Sequence, residues 1–589
     1  MKIVYVGKST KRRNSLLEAG EDCIVLSTDD WDDFDYKTSF AARCKIEGQS
    51  VKLDSIKILI DGRKISANYL DVLVEEGWGG EFPIPKANYI SVPSALTFYQ
   101  QLDGRLGPDE VVEVARKLND ASLKVWIERD ADSERLANSE GFRYSLLRER
   151  GAQSAYYNGW KVFNSSSISI GDVKFRFRDP FGVLQILNLN FDAHNLLPHD
   201  IHVVIGPNGA GKTQTLLQLV EHWLDIGPDD DRDLNVGFLE PTNFNQIVVV
   251  SYSPFEKFPI DARSKGNRKD ENVYKYFGLR GREQVFDRHG AASLQIRLSQ
   301  TRPKQNATHS LLACVSDDQE YGEIKDWSAK VATLTRVLRT AIDFDYFAIS
   351  IKKTESVDQL FDQSSIFFTD KTLEESDAVF RFPTKRKDRS EAENILIPIA
   401  ADRVDALVVD RLKKQVRPGD GITFLKDGER LELSSGQRLF SYVVFNILGA
   451  IRRNSLILID EPELFLHPTL EIAFLSMLKK ILASYRSKAL IATHSLIAVR
   501  ELPRSCVHVY DRTNEGLHIK HPPFETFGGD IQRISSYAFG DKSISKPFES
   551  WIEEKLVEYE SAEELIDALG DNINEEMIIQ ISAMGARKW

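Results

Sequence analysis

The sequence predicts an α/β protein built on a phosphate-loop core, with a mixed α/β insertion and a separate N-terminal α/β domain. Three observations carry that expectation. Gly206-Pro-Asn-Gly-Ala-Gly-Lys-Thr213 has the spacing G-x-x-x-x-G-K-[ST] and lies between an apolar run, Ile201–Ile205, and a helix-like segment, Gln214–Trp223. Two more short apolar runs, Leu456–Ile459 and Ala489–Ala492, are each followed at once by chemistry-bearing residues, Asp460-Glu461 and Thr493-His494-Ser495. The residues before the loop alternate between strand-like and helix-like stretches.

Composition sets the bounds. A chain of 589 residues predicts two or three domains, and 42% hydrophobic with 28% charged residues is ordinary globular usage. A net charge of −12 argues against a globally basic nucleic-acid coat, leaving room for a local basic groove. Cys23, Cys44, Cys314 and Cys506 lie far apart with no C-x-x-C pair, which fits neither a disulfide framework nor a zinc site. A reducing, cytoplasmic setting is the expectation. The start, Met1–Gly7, reads as a first strand rather than a signal peptide. Phe440–Ile451 is broken by Asn446 and falls short of the roughly 20 residues a membrane span needs.

The elements are read in order. Residues 1–165 are expected to form an N-terminal α/β domain of unassigned role, with strands at Lys2–Val6, Cys23–Ser27 and Ile56–Ile60. Helices are expected at Pro93–Gln101, with proline at the first position, and at Asp109–Leu118, then a strand at Leu123–Ile127. Asn164–Ser167 reads as a linker. Residues 166–259 form the first core lobe, with strands at Val173–Arg178, Val183–Phe191 and His202–Ile205, the loop and its helix, and a buried strand at Gln246–Tyr252. Residues 260–420 form an insertion without sustained heptads, carrying basic clusters at Arg263–Lys269, Lys385–Lys387 and Arg411–Lys414. Their plain reading is a solvated surface; the alternative is contact with nucleic acid or an acidic partner. Residues 421–515 return to the core, with a hairpin turning at Asp427-Gly428 that leads to Leu433–Gln437 and a long apolar helix, Arg438–Ile451. Residues 516–589 are expected to be a helical tail.

Chemistry follows from the motifs. Glycines let loop N–H groups wrap a polyphosphate, and the next helix adds partial positive charge from its N-terminus. Asn208, Gly209 and Gly211 are thus candidate phosphate contacts, Lys212 reaches the β- and γ-phosphates, and the Thr213 hydroxyl is a candidate Mg2+ ligand. Asp460, at the carboxyl end of a core strand, can hold Mg2+, and Glu461 can polarise an attacking water. His494 can hydrogen-bond the γ-phosphate or that water. Taken singly, Ser434 or Ser435 is a helix cap, Asp-Glu a loop and His494 a locally satisfied side chain. Their order along one chain argues for the joint reading.

This ordered set resembles the ATP-binding-cassette (ABC) ATPases, in particular the SMC/RecF/OLD-like branch. That branch's Asp-Glu-Pro-Glu…Leu-His-Pro segment is seen here as Asp460-Glu-Pro-Glu-Leu-Phe-Leu-His-Pro468. The resemblance spans roughly 168–245 and 420–512. It implies ATP and Mg2+ as ligands, with Lys212 and Thr213 binding phosphate and metal, Asp460 completing the metal site, Glu461 as catalytic base and His494 as switch histidine. It further implies a head-to-head dimer or higher homo-oligomer. Ser434, Ser435, Gly436 and Gln437 of one subunit would face the ATP of another, with Ser434 and Gly436 at its γ-phosphate. Two positions depart from the pattern. Ser435 replaces the first glycine of the usual signature, and the glutamine usual after the second core strand has no counterpart, with Ser253 in its region and Gln246 taken as structural. Within the branch, the chain is similar to ATPase subunits of bacterial anti-phage systems such as Septu, PARIS and OLD-type proteins. Thr526–Arg533 and Phe539-Gly540 add to that similarity.

The resemblance implies an ATP-hydrolysing sensor and regulator that gates a separate effector, a nuclease or toxin. The residues after His494 lack the strand-terminal Glu and Asp-x-Asp of a TOPRIM nuclease. Glu128, Asp130 and Asp132, or Asp61 with Lys64, could supply nuclease carboxylates in the N-terminal domain, but Glu128–Glu134 reads more simply as a charged helix start. The alternative function is a DNA-repair ATPase that clamps DNA directly. A transporter ATPase fits neither the Leu-His-Pro segment nor the insertion.

Overall fold

The computed structural model describes residues 1–29, 36–46, 48–163, 170–191, 196–226, 235–240, 242–262, 273–286, 292–321, 329–351, 380–385, 391–399, 415–464, 466–513, 516–539, 547–559 and 561–587. The chain divides into two compact units, Met1–Gly529 and Asp530–Trp589.

The centre of the first unit is a seven-stranded sheet. Its spatial order is Tyr274–Gly278, Gln246–Ser251, Ser455–Asp460, Lys488–Thr493, Ile201–Ile205, Val507–Thr513 and Gly516–Lys520. The first six strands run parallel and the last is antiparallel. Four of them, Gln246–Ser251, Ser455–Asp460, Lys488–Thr493 and Ile201–Ile205, are buried at every position. That is how a parallel sheet covered on both faces must read, and it explains the uninterrupted apolar runs. Register pairs Ser251 with Asp460, Asp460 with Ala492, and Thr493 with Ile205, so four carboxyl ends finish level.

Smaller sheets surround this one. Val173–Arg178 pairs antiparallel with Leu184–Leu189 and Gly237–Phe238. The N-terminal residues form their own six-stranded mixed sheet, Lys2–Tyr5, Cys23–Thr28, Ser39–Ile46, Ile56–Ile60 and Tyr89–Pro93 in order, with Gln49–Lys52 on Ser39–Ile46. Helix Arg150–Phe163 ties these residues to the core within the same unit. The Arg150 guanidinium donates to the carbonyls of His222 and Trp223, at 3.3 and 3.2 Å, and so caps the end of helix Lys212–Leu224. Ser154 donates to Asn245 Oδ1 at 2.7 Å. Inside the N-terminal domain, Lys57 and Glu149 form a buried ion pair, and Lys57 also donates to the Ser145 carbonyl. In the inserted segment, helices Arg302–Tyr321 and Lys330–Leu338 pack on helix Ser435–Ala450. Lys330 donates to Asp317 at 2.8 Å and to the Ile451 carbonyl at 2.9 Å, and Arg452 pairs with the same Asp317. The second unit holds helices Ile531–Phe539, Pro547–Glu558, Ala562–Leu569 and Glu575–Arg587, with Ile552, Leu556, Leu565 and Ile581 in a small core.

Several sequence expectations change. Pro93 ends a strand rather than opening a helix, and the helix begins at Thr97. Pro108 takes the first-turn role instead, opening helix Pro108–Lys117. Leu123–Ile127 is not a strand but part of a π-helical turn, Ser122–Ile127, wound on from Asp120, whose carboxylate accepts the Leu123 N–H at 2.9 Å. Ile422–Lys426 pairs with Tyr346–Ile351, so the hairpin at Asp427-Gly428 belongs to the insertion's five-stranded sheet. Gly516–Lys520, expected in the helical tail, is the antiparallel edge strand of the core sheet. The linker Asn164–Ser167, the clusters Arg263–Lys269 and Arg411–Lys414, Arg386, Lys387 and Gly540 lie outside the described residues.

Candidate active site

The loop leaves strand Ile201–Ile205 and enters helix Lys212–Leu224, as its sequence context requires. Gly209 and Gly211 hold φ of +76° and +93°, the left-handed region where a side chain is strained. At Gly211 space adds a second demand, because an added Cβ would lie 2.8 Å from Pro180. Lys212 is buried. Its ammonium donates to the carbonyls of Gly206 and Pro207, at 3.0 and 3.2 Å, and to His494 Nε2 at 2.8 Å. Burial lowers the Lys212 pKa, and the nearby Glu461, Glu463 and Asp460 oppose that.

Thr213, one residue on, faces the next motif. Its hydroxyl donates to Asp460 Oδ1 at 2.7 Å, while Ser251 donates to Asp460 Oδ2 at 3.1 Å. Burial is the main cause that pushes the Asp460 pKa up to about 6; the two hydroxyls oppose it and the charge of Glu461 adds to it. A buried carboxylate flanked by two hydroxyls is a set of hard oxygen donors, and its residual charge penalty is what a divalent cation relieves. The residues present therefore fit Mg2+. The sequence reading looked to Ser253 here, but the strand-end residue that reaches Asp460 is Ser251. Register alone selects it, since Ser251 is the direct neighbour of Asp460 across the ladder.

Glu461 leaves the strand with φ of +49°, unusual for a residue with a side chain, and its N–H is held by the Ala492 carbonyl at 2.8 Å. Its Oε1 stands 3.9 Å from His494 Nε2. Desolvation, then the Lys212 charge, lowers the His494 pKa to about 4. A neutral imidazole accepts from Lys212, so the Glu461 contact is not an ion pair. Glu463 escaped the sequence reading. It accepts from the Thr493 hydroxyl at 2.8 Å and from the His494 N–H, and so fixes the Thr493-His494 segment to the Asp-Glu segment. Burial raises its pKa.

The second half of the expected site lies elsewhere in the chain. Ser434 and Gln437 form a reciprocal capping box at the start of helix Ser435–Ala450, and Gln437 also donates to the Ala341 carbonyl at 3.1 Å. Ser434 and Ser435 are exposed, and Gly436 is half-buried. Among the described residues, no hydrogen bond links Ser434–Gln437 to the phosphate loop. Lys212, Thr213, Asp460, Glu461 and His494 thus come together, while Ser434, Ser435, Gly436 and Gln437 stand apart from them. Asn208 and Gly209 lie on the exposed loop. The loop edge is framed by Pro180 and Phe181, with the Arg512 guanidinium 5.0 Å above the Phe181 ring. Phe181 is 46% exposed. The signal for it was the Asp179-Pro-Phe-Gly182 turn between two strands.

The N-terminal carboxylates are engaged in structure. Glu128 pairs with Lys124 at 2.7 Å and Arg116 at 3.1 Å, Asp130 caps helix Ala131–Ala137, and Asp61 pairs with Arg135 at 2.5 Å. No described helix is long and apolar enough to cross a membrane.

The chain is 24% identical over 529 residues to protein ea59 of Escherichia phage lambda, covering 87% of this chain and 85% of that protein. Among solved structures, an SMC head domain from Thermotoga maritima aligns at 12% identity and TM-score 0.23, over 61% of this chain and all of that one. A nucleotide-free ATP-binding cassette from an ABC transporter aligns at 14% identity and TM-score 0.25, over 65% of this chain and 99% of that one. Scores that low add nothing to the fold described above. The family described as "AAA domain, putative AbiEii toxin, Type IV TA system" matches residues 201–500, which contain the phosphate loop, the Asp-Glu segment and His494. That match covers more than half of the 589 residues, and the chain belongs to this AAA-domain family.

Proposed function

We propose that this chain binds ATP with Mg2+ at the carboxyl edge of its core sheet and hydrolyses it in a head-to-head dimer. We further propose that it serves in the cytoplasm as the sensor and regulator of a bacterial anti-phage system, gating a separate effector of nuclease or toxin type. The observation that carries the chemistry is the convergence of Lys212, Thr213, Ser251, Asp460, Glu461 and His494 at the ends of four adjacent strands. The defence role is supported by the family's description, which names a toxin–antitoxin system. Four buried free cysteines fit a reducing compartment.

In this reading, the γ-phosphate draws Lys212 away from the two loop carbonyls and His494. The Phe181–Arg512 face offers a flat contact for the base. Thr213 and Asp460, with Ser251 beside them, would hold Mg2+, which would supply charge neutralisation at the phosphates. Glu461 takes a proton from the attacking water. The new oxygen–phosphorus bond forms as the bond to the β-phosphate breaks, its electron pair leaving with ADP. Ser434–Gln437 of the partner copy closes the site. An exposed capping box with no bond to its own loop supports that assignment.

The test is capture of tagged Glu461→Gln protein from its native host, with bound proteins and nucleic acids identified. A stoichiometric nuclease- or toxin-like partner is the expected result. Bound duplex DNA without a protein partner would replace the regulator reading with the DNA-clamp one.

A further inference from the structure

Helix Ser435–Ala450 buries two polar side chains, Ser441, whose hydroxyl donates back to the Arg438 carbonyl of its own helix at 2.7 Å, and Asn446, which reaches other elements. Asn446 is fully buried, among Val443, Val444, Phe445, Ile447 and Leu448 of the same helix. A buried amide is costly unless every polar atom is engaged, and a leucine of similar size would bury more apolar surface. Both ends of this amide are engaged, by different elements. Asn446 Nδ2 donates to the Tyr252 hydroxyl at 2.9 Å, and Asn446 Oδ1 accepts from Ser310 at 2.9 Å. Tyr252 and Ser310 are each only 5% exposed. The helices meet closely here, since a Cβ on Gly449 would lie 2.6 Å from Ser310.

The partners decide what this amide does. Tyr252 follows Ser251, the residue that holds Asp460 Oδ2. Asn446 stands in the helix that begins with the exposed segment proposed to meet the partner's ATP. A rise of 1.5 Å per residue puts Asn446 about 17 Å from Ser435 along a continuous rod. We infer that Asn446 is a positioning residue, joining the Ser434–Gln437 helix to the Ser251–Asp460 pair through the Tyr252 hydroxyl, so that docking of a second subunit alters geometry at the metal site. The inference rests on the ATPase reading proposed above. A helix shift moves the amide, the amide moves the Tyr252 hydroxyl, and the adjoining residue is a metal-site hydrogen-bond donor. Ser310 extends the same link to the inserted segment.

The test separates this role from simple packing. Tyr252→Phe removes one oxygen. The double variant Tyr252→Phe/Asn446→Leu replaces the polar pair with apolar groups of similar shape, and the Ser310 hydroxyl, which loses its acceptor, can turn back to a carbonyl of its own helix. Melting temperature, affinity for a fluorescent ATP analogue, and steady-state ATPase kcat are measured for the full chain. Both variants are expected to keep ATP affinity within about twofold, with kcat at least about tenfold down, because small displacements far from the chemistry are that expensive. The double variant should melt within a few degrees of wild type. Wild-type kcat in either variant overturns the positioning role and leaves the ATPase reading standing. Absence of turnover in the wild-type protein, with or without Mg2+, overturns both.

Discussion

Asp460→Asn should stabilise the protein without divalent cation while destroying its activity. In the folded chain the carboxyl titrates at about 6, against 3.8 for the free side chain, chiefly because burial penalises its charge. Between those two values the folded state holds more proton than the unfolded one, so stability falls as pH rises through that window. Above about pH 6 the penalty is fully present, and a shift of about two units corresponds to roughly 3 kcal/mol. Asparagine removes the charge and keeps the contacts, since Oδ1 still accepts from Thr213 and Nδ2 can donate to the Ser251 oxygen. Unfolding entropy of about 2 cal/mol/K per residue over the Met1–Gly529 unit converts 3 kcal/mol into about 3 °C. The assay is thermal melting in chelator at pH 4.5, 6 and 7.5. The advantage of the variant should be small at pH 4.5 and complete at 7.5, and Mg2+ should raise the melting temperature of wild type only. An advantage that is absent, or equal at all three pH values, would refute the assignment of Asp460 as a charge awaiting a cation.

Other outcomes bear on the remaining residues. Lys212→Ala should abolish nucleotide binding, and unchanged ATP affinity in that variant would remove the loop assignment. Glu461→Gln should bind ATP normally and accumulate a closed dimer on sizing columns, whereas hydrolysis at the wild-type rate would end its role as base. Glu463→Gln should keep ATP affinity within a few-fold and lower kcat by one to two orders of magnitude, about 1.4 kcal/mol per order, by releasing the His494 segment; equal losses in affinity and turnover would make it a fold residue only. Lys212→Ala and Gly436→Asp chains should each be inactive alone and regain ATPase activity when mixed; no recovery would exclude a site shared between subunits.

What could be read from sequence was whatever is local. The phosphate loop, the Asp-Glu step and His494 each follow a run of apolar residues that can only be a strand buried on both faces, so motif and placement are written together. A cap at Ser434 or Ser435 was legible for the same reason, while the return bond from Gln437 that makes it a capping box at Ser434 was not read. Ser251, Glu463 and Asn446 were not. Each acts through partners far away in the chain: Ser251 on Asp460, Glu463 on Thr493, and Asn446 on Tyr252 and Ser310. Asn446 even served as an argument against a membrane span, which it still is, but its use depends on two elements that sequence spacing cannot bring together. Leu123–Ile127 misled because an apolar-polar-apolar run fits one face of a short helical turn as well as a strand, and the Asp120 cap decided the matter.

The grip of Arg150 on the carbonyls of His222 and Trp223 has a consequence for how the molecule can be taken apart. Helix Lys212–Leu224 has 13 residues, about 20 Å, with the phosphate loop at one tip and this guanidinium at the other. Deleting residues 1–163 would take the guanidinium from both carbonyls, leave the His222 carbonyl with the Asp225 N–H alone, and expose the Trp223 ring that Arg150 covers. The leading residues are therefore a handle on the helix that follows the phosphate loop rather than a detachable module. Whatever seizes that handle pulls on the rod that carries Lys212.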